Sequence, residues 1–558
     1  MSSILQTWAL PVGLTTIVSL TVTWYNYVSR QVPEPYLDEF FHVPQAQRYC
    51  IGDYSWDPKI TTPPGLYLVS KLCKPLIGCE TSSLRLLNAQ ALCIIFILSY
   101  YISRVLRLRN DSGQRFHEGQ DIARRDPPAE DLSFVLDVHC ALNIALFPPL
   151  FFFSALYYTD VMSTLAVLLA YSAFLKRSTT DAGVTTDAVA VVLGVISLLF
   201  RQTNIFWVAV FPAGLAVVDA LKANTPSTTA RREDFASILR ESWGEGIIRD
   251  CSVQDAGPQD IVLFLTSIVV AAMRRPLVIL KVAIPYITLL LLFAGFVAWN
   301  GSVVLGDKSA HTATIHLPQM LYIWPYIAFF SVPLLARPLI RPVVPLLPSQ
   351  VREMCDYYLN TSNYGIPTTL VPVLFTICGL LVVYFNTIIH PYTLADNRHY
   401  VFYVFRIIRL YPALKYLAVP VYYICAWLTF QSLASPSIGE DLFKGKREDR
   451  PTNDRAHGQP CQVSFIAIWL VTTALSVITA PLVEPRYFII PWIIWRLHVP
   501  CIPASLSTDR YSGKTTYDMR LVFETVWLLS IITVVSYIFL YRTFAWPSEP
   551  GNLQRFIW

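Results

Sequence analysis

An all-α polytopic membrane protein is the fold class this chain predicts, and three observations predict it. Apolar residues fill 54% of its 558 positions and charged residues only 15%, where a soluble domain carries about 25% charged residues. Runs long enough to cross a bilayer as a helix, ~20 mostly apolar residues each, recur from the first residues to the last. Thirty-nine prolines fall at the edges of these runs or inside them, as in Phe147-Pro148-Pro149. Broken helices persist at membrane depth only where protein or a water-filled cavity covers the freed backbone. A large helical bundle around an internal site is therefore expected, rather than a row of anchors.

The expected spans lie near Thr7–Val28, Leu84–Ile102, Leu132–Leu156, Val161–Leu175, Ala188–Phe200 and Ile205–Leu221, then near Leu277–Trp299, Pro318–Leu335, Thr368–Ile389, Tyr411–Phe430, Val463–Ala480 and Leu521–Tyr541. The short apolar piece Tyr487–Trp495 is a further span or a half-membrane element. This gives about 12–13 transmembrane helices of the usual length. The first segment lacks a basic flank and a small-residue cleavage site, so it reads as a retained anchor.

Loops alternate in character. The set 101–132, 176–186, 222–275, 336–365 and 432–462 carries roughly twice the Lys and Arg of the set 30–83, 157–160, 201–204, 300–317, 389–410 and 482–487, and the Lys/Arg-rich side is the cytosolic one. Within the first set, 105–131, 222–260 and 432–462 read as solvated linkers, with the remainder forming one multi-pass domain over 1–558. The net charge of +5 is too small to imply a nucleic-acid partner. Eleven cysteines form no CxxC pair and no Cys/His metal spacing. Cys50, Cys73 and Cys79 share the first loop, which allows a disulfide there or three free thiols.

That first loop contains the longest polar passage near the N-terminus, YLDEFFHVPQAQRYCIGDYSWDPKITTPPGLY over 36–67. Charge at a membrane boundary is costly unless it faces water or does work. Asp38 and Glu39 open the passage. A carboxylate partly shielded from water suits a general base towards a hydroxyl; the same pair also suits an acidic helix cap. His42 follows at helical spacing from both, as half a metal site or, with no second such box among the nine histidines, as a hydrogen-bonding neighbour. Trp56 and Asp57, beside the proline-rich TTPPG, suit either a sugar platform or a locked turn. Arg201, His311, Arg398, His399 and Arg486 are cations of the same loop set, each able to bind phosphate oxygens or to pair with a nearby Asp or Glu.

The strings YLDEFFHVPQAQRYC, WDPKITTPPGLYLVS, FRQTNIFW, LADNRHYVFYVF, EPRYFIIPW and QRFIW occur in this order over nearly the whole chain. Together they resemble the eukaryotic dolichyl-phosphate-glucose-dependent α-1,2-glucosyltransferases. The resemblance implies a GT-C fold in the endoplasmic reticulum membrane, with the active site facing the lumen and a catalytic carboxylate in the first lumenal loop. It also implies a donor, dolichyl phosphate glucose, and an acceptor, the diglucosylated high-mannose oligosaccharide on dolichyl diphosphate. Transfer from a β-linked donor to an α product inverts the anomeric carbon, which calls for one base and a stabilised leaving group on the opposite face. Asp38 is the expected base, with Glu39 as alternative. Arg398 and His399 are the first expected phosphate ligands, with Arg201, His311 and Arg486 behind them. No metal or cofactor is implied. A dolichyl-phosphate-mannose enzyme fits the acidic pair equally well. A secondary transporter fits poorly, since ionisable groups at midplane and inverted repeats are missing.

Overall fold

The computed structural model describes residues 2–118, 133–179, 183–223, 235–253, 256–308, 314–340, 342–349, 352, 369–434, 461–480, 482–501, 517–547, 549 and 551–558. Helices dominate. Among the described residues, seven helices are long and apolar enough to cross a membrane: Gln6–Gln31 (within α1, Ser2–Gln31), Thr81–Arg109 (within α4, Thr81–Glu118), Thr159–Arg177, Phe206–Ala223, Pro276–Asn300, Leu414–Leu433 and Met519–Tyr541. Four further apolar helices among the described residues, Ser133–Ala145, Val184–Leu198, Leu370–Asn386 and Val463–Val477, stand where spans were expected but are shorter. The expected span at Pro318–Leu335 is divided at Ser331, between Gln319–Phe330 and Val332–Leu335. Proline stands within or shortly after every short piece except Val184–Leu198, and it interrupts a helix because it removes a backbone donor and crowds the preceding turn.

Most of the described helices contribute to one large apolar core, with smaller apolar clusters beside it. It runs from Ile17 and Trp24 of α1 through Phe96 of α4 and Phe147–Phe153 to Trp492, Trp495 and Phe539. Phe147 stacks face to face on Trp492 with centroids 3.8 Å apart. Two ion pairs lie in this core almost without exposure, Glu39 with Arg85 and Glu524 with Arg496.

The first loop is itself helical. Helix α2 (Glu39–Ile51) and helix α3 (Gly65–Ile77) pack together, and a disulfide joins Cys50 to Cys79. Other loops of the same set cover the hairpin. Gln202 donates to the Thr61 carbonyl at 2.7 Å, and the Asp307 amide to that of Pro58 at 2.6 Å. Gly306 has φ +64, and a Cβ there would meet the Pro58 and Ile60 carbonyls at 2.3 and 2.5 Å, so only glycine allows this approach.

Residues 544–558 return to the same side. Phe544–Ala545 and Leu553–Gln554 form a two-stranded antiparallel ribbon, and the Ile557 amide donates to the Arg398 carbonyl at 2.9 Å. In the other set, the Val253 amide of 222–275 donates to the Cys461 carbonyl of 432–462, while Arg107 and Arg109 of 101–132 pair with Asp137 and Asp219 on neighbouring helices. Within the stretch expected as a linker, 222–260, the structure has a helix, Phe235–Glu245, that buries Ile238 and Ser242. Likewise α4 continues helical through 105–118. The rest of 105–131, and 435–460 of the third linker, lie outside the described residues.

Candidate active site

Asp38 is the N-cap of α2. Its carbonyl accepts from the Phe41 and His42 amides at 3.1 and 3.0 Å, while its side chain makes no capping bond. The residue before it, Leu37, has φ +51, a left-handed conformation that a branched side chain adopts only at a cost of about 1–3 kcal/mol. This turn separates the two carboxylates. Successive residues on a helix do not share a face, and here they lead to opposite surroundings.

Glu39 points inward and is fully buried. One oxygen accepts from Arg85 Nε at 2.8 Å and the Tyr157 amide at 2.6 Å, the other from Arg85 Nη2 at 2.5 Å and the Tyr36 amide at 3.0 Å. Four donors saturate both oxygens, so no lone pair faces a substrate. Glu39, the alternative base, stands here as an ion-pair partner that fixes the start of α2 to α4 and to the Tyr157 turn.

Asp38 points outward, its side chain 42% exposed. Its Oδ2 accepts from Arg486 Nη1 at 2.7 Å, a contact between residues 448 positions apart. Arg486 also donates to Glu484 through Nη2 at 2.6 Å and Nε at 3.0 Å, and lies 3.7 Å from Asp160. Asp160, almost unexposed, accepts in turn from Arg201 Nη1 at 3.0 Å. Phe153 and Tyr158 lie under Arg486, and Tyr487 under Arg201, at 5.6–5.7 Å. Three carboxylates thus hold two guanidinium groups over aromatic rings, in a recess that opens at Asp38.

The surroundings set the ionisation. Burial pushes the Asp38 carboxyl up, but the field of Arg486, then that of His42, and the hydrogen bond from Arg486 outweigh it and hold the group below the usual carboxylate range. Burial pushes His42 below the usual imidazole value against the pull of Asp38, so its ring is neutral at pH 7. His42 Nδ1 lies 2.6 Å from the Tyr67 hydroxyl.

The expected cations divide. Arg201 and Arg486 reach the Asp38 recess. Arg398 does not: it is spent on Asp396 at 2.7 Å, stacks over Trp546 and donates to Gln554. Expected as a first phosphate ligand, it already has the carboxylate two residues earlier as an ion-pair partner. His399 stands between the two groups, 3.7 Å from Asp396 and within electrostatic reach of Asp38. Trp56 packs edge-to-face on Tyr67 and donates its indole N–H to the Ile60 carbonyl at 3.2 Å. Asp57 caps the same turn through the Lys59 amide at 2.9 Å. These two residues form a locked turn beside the recess. His311 lies outside the described residues. Asp160, Glu484 and Tyr158 were not singled out as site residues from the sequence. The signal was present in YYTD and EPRYF, where an acid stands among aromatics in two short loops of the same set. Among the described residues, no group of three or more His, Cys, Asp or Glu side chains is arranged to hold a metal ion.

The DIE2/ALG10 family model matches residues 32–497, a stretch that includes every residue of the Asp38–Arg486 cluster. This chain belongs to the DIE2/ALG10 family. Its relatives include a protein of Aspergillus fumigatus, 38% identical over 97% of this chain and 97% of the relative, and one of Homo sapiens, 32% identical over 96% and 95%. Both are named Dol-P-Glc:Glc(2)Man(9)GlcNAc(2)-PP-Dol alpha-1,2-glucosyltransferase. Among solved structures, the apo Archaeoglobus fulgidus oligosaccharyltransferase aligns with 92% of this chain and 64% of its own, at 12% identity and a TM-score of 0.25.

Proposed function

We propose that this chain is an inverting glucosyltransferase with a GT-C fold, moving glucose from dolichyl phosphate glucose to the terminal glucose of a diglucosylated oligosaccharide on dolichyl diphosphate. The new linkage is α-1,2. The observation that carries this reading is the contact of Asp38 with Arg486: a half-open carboxylate and a buried guanidinium, brought from loops 448 residues apart. The relatives named above support the donor and acceptor.

Asp38 takes the proton of the acceptor 2-hydroxyl as its oxygen bonds to the anomeric carbon. The bond from that carbon to the phosphate oxygen breaks on the opposite face, and dolichyl phosphate leaves. Arg486 and Arg201 receive the phosphate with charge-assisted hydrogen bonds. Asp38 and Arg486 are in contact, so a sugar enters between them only as that bond opens. Charge bookkeeping favours the exchange. The phosphodiester gains a second negative charge on leaving, while the arriving proton neutralises Asp38 and releases Arg486 to the phosphate. A carboxylate held low by Arg486 thereby becomes a stronger base once the donor draws that cation away.

An active site in the lumen of the endoplasmic reticulum is supported by two features. The Cys50–Cys79 disulfide needs an oxidising compartment, and the Lys/Arg-rich loops lie in the opposite set. Microsomes supplied with labelled dolichyl phosphate glucose or mannose test the donor. Transfer from the glucose donor to the diglucosylated acceptor is expected, and transfer from the mannose donor alone contradicts the proposal.

A further inference from the structure

Three aromatic side chains beside the Asp38 recess carry polar atoms that are buried and lack a hydrogen-bond partner: Tyr326 Oη, Tyr400 Oη and Trp558 Nε1. They form one connected group. Tyr326 and Trp558 both pack on Phe330, with centroids 4.9 and 5.6 Å apart, and Tyr400 packs on Trp558 at 5.3 Å. Both ends of the group touch the site. Tyr326 packs on Phe488, two residues after Arg486, at 5.2 Å and lies within electrostatic reach of Asp160. At the other end the Trp558 carbonyl lies 3.1 Å from His399 Nδ1. The second Asp160 oxygen, 3.7 Å from Arg486, is also buried and without a hydrogen bond.

A buried donor left unpaired costs more than an ordinary hydrogen bond returns, so three in one wall call for an occupant that accepts and donates. Isoprenoid chains offer no such groups. A phosphate would seek cations, and none of the three side chains is one. A hexopyranose offers both an apolar C–H face for aromatic rings and a rim of hydroxyls. We propose that Tyr326, Tyr400 and Trp558 form a sugar subsite that reads hexose hydroxyls, each spending one O–H or N–H on the ring held beside Asp38. This deepens the glycosyltransferase reading and rests on it. The sugar comes from one of two sources, the donor glucose or the terminal acceptor glucose.

The test measures equilibrium binding by the full-length protein in nanodiscs, for wild type, Tyr326→Phe, Tyr400→Phe and Trp558→Phe. The probes are a short-chain polyprenyl phosphate glucose, a diglucosylated glycolipid acceptor, and polyprenyl phosphate without sugar. Each variant is expected to weaken a sugar-bearing probe by about three- to tenfold, the effect of one neutral hydrogen bond, and to leave the sugar-free lipid unchanged. Weakening of the donor probe alone assigns the donor glucose; of the acceptor probe alone, the acceptor glucose. Thermal stability separates a folding defect, since each Tyr→Phe change removes only an atom without a protein partner and leaves stability equal or higher. Binding of both sugar probes within twofold of wild type in all three variants overturns the subsite, as does equal weakening of the sugar-free lipid. Failure of the catalytic reading shows separately, as undiminished turnover by Asp38→Asn with its Kd values intact.

Discussion

Glu39 accepts four hydrogen bonds and no water reaches it, whereas Asp38 accepts one from Arg486 and stands half-open. Substitution separates the two roles. Asp38→Asn keeps the size and the N-cap geometry, so folded protein is expected with transfer lowered about a hundredfold or more. Glu39→Gln instead strands the buried Arg85 charge and costs about 3–5 kcal/mol of stability, which a thermal denaturation series in detergent reads as a lower midpoint and poor yield. The sign of the pH dependence follows from Arg486. Its positive field keeps Asp38 ionised into acid, so kcat/KM of the wild type holds until pH falls below the ordinary carboxylate range. Removing that field in Arg486→Gln raises the Asp38 pKa, and the acid limb of the profile moves to higher pH; an unmoved limb would separate Asp38 from the pH-controlling group. Residue chemistry was legible in part. The Asp-Glu pair and the cationic loops stood out by type and side. Which carboxylate faced the recess was not, because that depends on the left-handed turn at Leu37 and on Arg85, 46 residues away. The pairing of Arg398 was hidden for a related reason: its partner Asp396 stands two residues earlier, and only the fold shows the two side chains in contact.

At the scale of elements, α2 and α3 are a helical hairpin laid beside the membrane bundle, and its rigidity sets where Asp38 points. The Cys50–Cys79 bond closes a loop of sequence separation 29, for which the chain-entropy model gives about 3–4 kcal/mol. Paired Cys50→Ala and Cys79→Ala substitution is expected to lower stability by that order, read as a lower thermal midpoint, and to reduce transfer at physiological temperature, while either variant alone matches the pair; an unchanged midpoint contradicts the bracing role. The sequence left the disulfide open, since three cysteines share the loop and spacing does not choose among them. Spans were read well where apolar runs are long, as at Pro276–Asn300 and Met519–Tyr541. They were read less well where proline divides a run, as around Ser331. The helix Phe235–Glu245 was missed within a stretch read as linker, because it is short, buries only Ile238 and Ser242, and gains stability from packing on the following helix, Pro258–Arg274.

Across the whole molecule, the loop-to-loop hydrogen bonds named above stay within the sets that the Lys/Arg bias divides, Gln202 with Thr61, Asp307 with Pro58 and Arg486 with Asp38 in one and Val253 with Cys461 in the other. Arg555 shows how the ends of distant helices are joined on the Asp38 side. Its guanidinium donates to the carbonyls of Phe539 and Leu540 at the end of Met519–Tyr541 and of Gln31 at the end of α1, while its backbone exchanges hydrogen bonds with the Tyr36 hydroxyl. Arg555→Ala leaves those helix-end carbonyls unpaired and loosens the segment that leads into Asp38. A loss of about 1.5–3 kcal/mol, the scale of a charged hydrogen bond, is expected in thermal stability, together with a fall in transfer. The overall architecture was legible because composition and apolar periodicity follow directly from the bilayer. The convergence of residues 36–39, 158–160, 201, 399 and 486 was not, since it joins parts of the chain hundreds of residues apart.

The central claim, that Asp38 carries glucose transfer to the diglucosylated lipid-linked oligosaccharide, is tested most directly by glycan analysis of cells lacking this protein. Those cells are expected to accumulate the diglucosylated species. Wild-type protein restores the triglucosylated one, and Asp38→Asn, expressed and inserted at equal level, does not. Restoration by Asp38→Asn, or accumulation of a species other than the diglucosylated one, would contradict it.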